Sequence, residues 1–333
     1  MSGARIAILI PALNEEQTIA DVVHAFRAAC PAAQIIVFDN ASTDGTARRA
    51  RAAGAEVRYE PRRGKGHVVQ AMFRTVEADV YVMVDADATY PADRVNDLIA
   101  PILNGSADMV IGSRLHRRSN SEFRALNLLG NLFYATLLRR LFGIRITDLL
   151  SGYRAFSRRL VKSVPLVGGG FETEAEMTIK SVHRGFRVTE IPVSLVSRPA
   201  GSTSNIRIVQ DGVLILNAMV ALFRDYKPLT FFGVLTLLLA AASGASFVLG
   251  HTPAALALAL LACATTATGT ILHTIARHFQ TLETQMQRLV EDALQTGGGR
   301  DARPPQWLRR SDEPLAAAEV ARPQPELIPE RRV

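Results

Sequence analysis

The chain has 333 residues, a formal charge of +7 and 48% hydrophobic residues, enough for one large α/β domain and further segments. Its basic residues are scattered and only 6% of residues are aromatic, which excludes an interleaved basic and aromatic face for nucleic acid; anionic membrane and phosphorylated ligands suit the charge better. Cys30 and Cys263 are the only cysteines and neither has a partner at metal-ligand spacing, which excludes a disulfide framework and a zinc site.

No Lys/Arg-led apolar segment opens the chain: Ala4–Leu13 is too short for a signal peptide and runs into charge, so the first half is expected to stay in the cytosol. Arg5–Pro11 is a continuous apolar run and predicts a strand, followed by a helix over Glu15–Cys30. Gln34–Asp39 predicts the next strand, and Ser42–Asp44 a helix start capped by Ser42 or Thr43. A strand over Glu56–Glu60, a helix over Gly64–Glu77, a strand over Val80–Asp85, a helix over Pro91–Leu103 and a strand over Asp108–Gly112 complete the alternation. Such alternation predicts a mostly parallel central sheet covered on both faces, with ligands beyond the carboxyl ends of its strands. The polar residues cluster at those ends, as Asn14-Glu15-Glu16, Asp39-Asn40 and Asp85-Ala86-Asp87.

Further on, Phe123–Phe142 predicts an amphipathic helix, Thr173–Arg184 another, and Arg187–Leu195 a strand. Asn205–Phe223 is amphipathic and leads into an apolar segment; it reads equally as a helix packed on the domain or as one lying in a bilayer interface. Leu229–Gly250 and Ala254–Ala276 are each nearly charge-free and long enough to cross about 30 Å of hydrocarbon. His251-Thr252-Pro253 joins them too tightly for anything but an antiparallel hairpin, against the alternative of a buried soluble hairpin. Arg224 and Lys227 before it, with Arg277 and Arg288 after it, place both ends on the cytosolic side. Beyond Leu294, a tail with Gly297–Gly299 and six prolines is expected to be disordered. The expected divisions are a catalytic domain over 1–204, an amphipathic interfacial helix over 205–227, a transmembrane hairpin over 228–277, and a cytosolic helix and tail over 278–333.

Asp85-Ala86-Asp87 is the strongest chemical signal, because two carboxylates one residue apart at the end of an apolar strand can converge on a hard cation that shares substrate phosphate oxygens. As a bare pattern it is otherwise a solvated turn. Asp39 ends a strand at the ligand edge, where an acid accepts from a base or ribose hydroxyl. Gly64-Lys65-Gly66 is not a Walker A loop; it is a flexible turn opening a helix, with or without Lys65 on an anionic ligand. Arg114 follows another strand end and reads either as a surface arginine or as a guanidinium for a diphosphate leaving group. Asp148 stands alone among apolar neighbours, where a carboxylate can serve as a general base or cap a turn. Glu172 and Glu176 share a helix face, which need be no more than helix-start electrostatics.

In this order the blocks Pro11–Glu16, Asp39–Thr46, Gly64–Gly66, Asp85–Pro91, Ile111–Leu115, Thr147–Phe156, Gly170–Glu176 and Arg198–Ser204 resemble the family-2 glycosyltransferases of the dolichol-phosphate mannose synthase and polyprenyl-phosphate glycosyltransferase type. Arg224–Leu229 and the following helix look like bacterial members with a C-terminal two-helix membrane anchor. The resemblance implies a GT-A fold, an inverting mechanism and Mg²⁺ or Mn²⁺. It implies that Pro11, Leu13, Glu15, Asp39, Asn40, Lys65 and Ala86 line the nucleotide sugar, that Asp85, Asp87 and Thr89 serve the metal, and that Ser113 and Arg114 meet the diphosphate. Asp148 becomes the acid near the acceptor, with Asp87 and Arg114 the other catalytic residues, and Arg198 and Ser202 contact phosphate. Relatives often carry a lysine where Asn205 stands, which weakens the likeness of that loop. The implied donor is a UDP- or GDP-hexose and the implied acceptor a polyisoprenyl phosphate; the alternative is a membrane-tethered transferase acting on a soluble or polysaccharide acceptor. The implied location is the inner (plasma) membrane, multi-pass with the catalytic domain and both termini cytoplasmic, and a homo-oligomer stays open.

Overall fold

The computed structural model describes residues 3–114, 122–196 and 208–296. Its centre is a seven-stranded sheet in the order β3-β2-β1-β4-β6-β5-β7. β1 (Ile6–Ala12), β2 (Gln34–Asp39) and β4 (Val80–Met83, Val-Tyr-Val-Met) are largely apolar runs buried on both faces, as inner strands of a covered sheet require. β1 pairs in parallel with β2 and β4, and β2 in parallel with β3 (Glu56–Tyr59). β5 (Met109–Ser113) pairs in parallel with β7 (Val188–Pro192), which closes one edge.

One strand escapes the sequence reading. β6 (Arg154–Ser157) lies between β4 and β5, antiparallel to both. It has four residues and begins with an arginine, so it carries no apolar run. That arginine is nevertheless completely buried. Arg154 donates through Nη1 to Thr178 Oγ1 at 2.8 Å and to the Glu174 carbonyl at 3.2 Å, and through Nε to the Ser151 carbonyl at 2.8 Å, so its charge is met without water.

Helices cover both faces. α1 (Ile19–Ala29), α2 (Thr46–Ala52) and α4 (Val95–Leu103) pack over Ile8, Ile10 and Val82. α3 (Lys65–Thr75), α5 (Glu122–Phe142), α6 (Arg158–Ser163) and α7 (Thr173–His183) cover Leu9, Tyr81 and Ile111 on the other face. Two local expectations need correction. α2 begins at Thr46, not near Asp44, and its N-cap Gly45 makes no side-chain cap. Ser42 Oγ instead accepts from the Asn14 amide and the Thr43 N–H donates to Asn14 Oδ1, so both proposed caps are spent on the neighbouring loop. β4 also stops at Met83, which frees Asp85 from the ladder.

α8 (Ile208–Tyr226) packs on the domain, the first of the two readings of its sequence. Ile215 and Met219 are buried in the domain core, and the Tyr134 hydroxyl of α5 donates to the Gly212 carbonyl at 2.8 Å. On its other side Val213, Leu214 and Val220 are exposed. α9 (Pro228–Val248) follows, then α10 (Thr252–Thr296). Pro228–Val248 and Thr252–Phe279 are long and apolar enough to cross a membrane; the most apolar stretch of the first is not buried, and that of the second is 17% buried. Thr236 Oγ1 lies 2.9 Å from Thr265 Oγ1 and Ser243 donates to the Ala255 carbonyl at 2.7 Å, polar ties between the paired helices. By compactness the chain divides into Met1–Thr274 and Ile275–Val333; the described part of the second unit is the helix continuing to Thr296.

Candidate active site

The carboxyl ends of β1, β2 and β4 are bent by three non-glycine residues in the left-handed region: Asn14 (φ 55°), Ala41 (φ 57°) and Ala88 (φ 59°). Each such conformation costs about 1 kcal/mol and persists only where surrounding bonds enforce it. Here they do. Asn14, Glu15 and Glu16 are hydrogen-bonded to the block after β2: the Glu15 N–H donates to Thr46 Oγ1 at 2.8 Å and Gly45 N–H donates to Glu16 Oε2 at 3.0 Å. The Glu15 carboxylate also accepts from the Thr18 hydroxyl at 3.0 Å.

Pro11 lies in β1, and Leu13 and Glu15 follow it, half-buried at the strand end that the sequence selects. Asp39 closes β2, 6% exposed, and its Oδ1 has no hydrogen-bond partner among the described residues. A buried carboxylate oxygen left unmatched at a ligand edge suits a hydroxyl or N–H donor from outside. Asn40 is committed otherwise. Its Nδ2 donates to the Arg62 carbonyl at 2.7 Å and its Oδ1 accepts from the Gly64 N–H at 2.8 Å, so it holds the loop that presents Lys65.

Lys65 opens α3 and reaches between two acids, with Nζ 2.6 Å from Asp85 Oδ1 and 2.7 Å from Glu174 Oε1. Burial by itself pulls its pKa down, but Asp85 and Glu174 together push it well above the ordinary lysine value. Glycines make this approach possible. A Cβ on Gly64 would lie 2.2 Å from the Gly169 carbonyl oxygen, and one on Gly66 2.1 Å from that of Gly168. Glu176 and Glu172, which share a helix face in the sequence, hold this glycine loop: Glu176 accepts from the Val167 and Gly168 N–H groups at 2.9 and 2.8 Å, and Glu172 from Gly170 at 3.0 Å. The acid that faces Lys65 is Glu174, 2% exposed, which the sequence reading passes over although it sits between them.

Asp85, Ala86 and Asp87 leave β4 in a turn. Asp87 Oδ1 accepts from the Thr89 N–H at 3.1 Å and hydroxyl at 2.6 Å, so Thr89 orients Asp87. On the other side Gly152 abuts Asp85, and a Cβ there would lie 2.2 Å from Asp85 Oδ2. Gly152 N–H donates to the Tyr90 hydroxyl at 2.9 Å, and Ser151 Oγ donates to the Gly112 carbonyl at 2.6 Å. Burial pushes the Tyr90 phenol up and keeps it protonated. Among the described residues no group of three His, Cys, Asp or Glu forms a cage for a metal. The donor set here is two carboxylates at a turn, which fits a hard cation that takes its other ligands from water and phosphate.

Asp148 is not isolated. Arg114 grips both of its oxygens, Nε to Oδ2 and Nη2 to Oδ1 each at 2.7 Å, and the Arg114 N–H adds a third bond at 2.9 Å. Asp148 is completely buried, so a free general base is not what this carboxylate offers; it fixes the guanidinium. The loop below is held by Glu190, which accepts from the N–H groups of Thr147 and Asp148 at 2.8 and 2.9 Å. Ser113, 1% exposed, has its hydroxyl 3.1 Å from Thr147 Oγ1 and braces the same loop. Arg198 and Ser202 lie outside the described residues.

A polar edge at the carboxyl ends of the strands, a two-carboxylate turn and a clamped arginine on a largely parallel sheet are the layout of a GT-A transferase. Residues 7–164 match the family model described as Glycosyl transferase family 2. The chain is similar to the glycosyltransferase AglJ of Haloferax volcanii, 34% identical over 68% of this chain and 75% of that one. It also resembles a dolichyl-phosphate hexose transferase of the same organism, 29% identical over 60% of this chain and 85% of that one. Among solved structures, glucosyl-3-phosphoglycerate synthase from Mycobacterium tuberculosis with Mn²⁺, uridine-diphosphate and phosphoglyceric acid aligns with TM-score 0.55 and 25% identity, covering 67% of this chain and 79% of that one. The chain belongs to glycosyl transferase family 2, and it is a glycosyltransferase.

Proposed function

We propose that this protein transfers a sugar, with inversion, from a nucleotide-diphosphate donor to a polyisoprenyl phosphate at the cytosolic face of the inner membrane. The observation that carries the reading is the joining, in one chain, of the Asp85–Asp87 turn and Arg114 clamp to two apolar helices of membrane-crossing length. Similar proteins favour the acceptor: besides the dolichyl-phosphate hexose transferase, an undecaprenyl-phosphate mannosyltransferase of Micrococcus luteus is 27% identical over 60% of this chain and 86% of that one. The donor is a UDP- or GDP-hexose.

In this reading Pro11, Leu13, Glu15 and Asp39 receive the nucleoside, with Asn40 and Ser113 supporting the loops behind. Asp85 and Asp87 would hold Mg²⁺ or Mn²⁺, which when bound would neutralise charge on the departing diphosphate. Lys65 and Arg114 add fixed positive charge beside it. The Asp148 pair occupies Nε and one Nη2 hydrogen of Arg114, leaving the guanidinium further donors for phosphate. As the bond from the anomeric carbon to the diphosphate oxygen breaks, a phosphate oxygen of the lipid attacks the opposite face. That phosphate is already anionic at neutral pH, so no strong base is required, which agrees with the engagement of Asp148 by Arg114. Residues 1–204 form the catalytic domain in this reading, 205–227 the interfacial helix and 228–277 a two-span hairpin; 278–333 and the N-terminus stay cytoplasmic.

The test is transfer of radiolabelled sugar from a panel of UDP- and GDP-sugars to undecaprenyl or dolichyl phosphate by detergent-solubilised enzyme with Mg²⁺ or Mn²⁺. Label entering the organic phase with one donor, and lost in Asp87→Ala or on chelation, supports the reading. Label that remains water-soluble while donor is consumed replaces it with a tethered enzyme acting on a soluble acceptor.

A further inference from the structure

α10 runs unbroken for 45 residues, roughly twice the length that a hydrocarbon layer demands, and its apolar span closes at Phe279. From Leu272 onward the sequence keeps a strict rhythm. Leu272, Ile275, Phe279, Leu282, Met286 and Leu289 follow at alternating steps of three and four residues, with Ala293 next in the series. Beyond the span, the three outward positions of each heptad are Gln280, Thr281, Thr284, Gln287, Arg288 and Glu291, all polar. Phe279 and Leu282 are 69% and 55% exposed.

A stripe almost confined to the first and fourth positions of each heptad is the narrow seam of a coiled coil, whereas a helix lying on lipid carries a wider apolar face. We infer that this segment pairs with the same segment of a second copy as a parallel coiled coil. The partner must leave the bilayer at the same depth and in the same direction, in register with Phe279. A second chain anchored in the same bilayer meets that condition by symmetry, and leucine at Leu282 and Leu289 suits a two-stranded parallel pair. The inference rests on the proposed crossing of the membrane by α10.

Single cysteines in the full-length chain test it, in native membranes and with Cys30→Ala/Cys263→Ser as background. Under mild oxidation Leu282→Cys and Leu289→Cys should give a product of twice the chain mass at five-fold or higher yield than Thr284→Cys and Gln287→Cys. Equal yields at all four positions, or adducts of any other mass, overturn the inference. In detergent, light scattering should give two chains for the native sequence and one for Leu282→Asp/Leu289→Asp with an unchanged melting temperature of the catalytic domain; one chain for both also overturns it. Recovery of the protein in the soluble fraction, seen before any cross-linking, defeats the membrane reading and this pairing with it.

Discussion

Arg114 and Asp148 form a two-pronged ion pair, 2.7 Å at each prong, with the carboxylate wholly buried and the arginine side chain 29% exposed. The pair joins the end of β5 to the loop before β6 and aims the guanidinium along the ligand edge. Asp148→Asn keeps the shape but removes half of the charge match. We expect kcat to fall about 100-fold with donor KM changed much less, and stability to drop by roughly 3 kcal/mol. Arg114→Lys, which cannot form the fork, should lose activity to a similar degree. Steady-state kinetics and thermal melting on both variants check this.

Lys65 between Asp85 and Glu174 gives a prediction with a pH signature. Its folded-state pKa lies above its unfolded value, so its stabilisation is fully present below the unfolded lysine pKa of about 10.4 and is lost only as pH rises beyond it. Lys65→Met should therefore lower the melting temperature by roughly 5–10 °C, by the same amount at every pH from about 6 to 9. A melting difference that shrinks within that window would contradict the placement of Lys65 between two charged acids.

Gly152 and Gly66 separate damage to the site from damage to the fold. A methyl at position 152 meets the short Asp85 carboxylate, whereas one at 66 meets backbone oxygen. Gly152→Ala is expected to raise donor KM ten-fold or more with a small change in melting. Gly66→Ala should reduce the yield of folded protein. Circular dichroism beside donor titration distinguishes the two outcomes.

Asp39 should show function and stability moving in opposite directions. Its unmatched, buried Oδ1 makes Asp39→Asn neutral or stabilising for the fold, because a buried charge is relieved. Loss of the charged hydrogen bond proposed between Asp39 and the nucleoside should weaken nucleotide binding about 10- to 100-fold. Calorimetric titration with UDP and GDP, alongside melting, measures both.

The metal role proposed for Asp85 and Asp87 makes transfer dependent on a divalent cation. Chelation should abolish transfer and added Mg²⁺ or Mn²⁺ should restore it, while Thr89→Val, which frees Asp87 Oδ1 of the hydroxyl bond, should raise the metal concentration needed for half activity several-fold. A metal titration of activity reads both effects.

The parallel strands were legible because Ile, Val and Leu runs ending in Asp or Asn announce buried strands that stop at a ligand edge. The clustering at Asn14, Asp39 and Asp85 marks the carboxyl ends of those strands in the sequence. β6 was not legible, since a buried arginine in a four-residue strand looks polar until Thr178 and the Glu174 carbonyl are brought to it from α7. The same holds for Glu174: three acids stand within five residues, and only the packing of α7 against α3 decides which one meets Lys65.

Neighbouring residues were enough to reveal the first five strands, most of the helices, the two apolar spans and the candidate carboxylates, because hydrophobic period and strand ends are local properties. The tertiary structure alone decided which charges pair. Asp148 finds Arg114 across 34 positions, Asp85 finds Lys65, and Asn40 is drawn away to Gly64. An ion pair depends on distance in space, and chain separation carries no record of it until the sheet has brought the loops together.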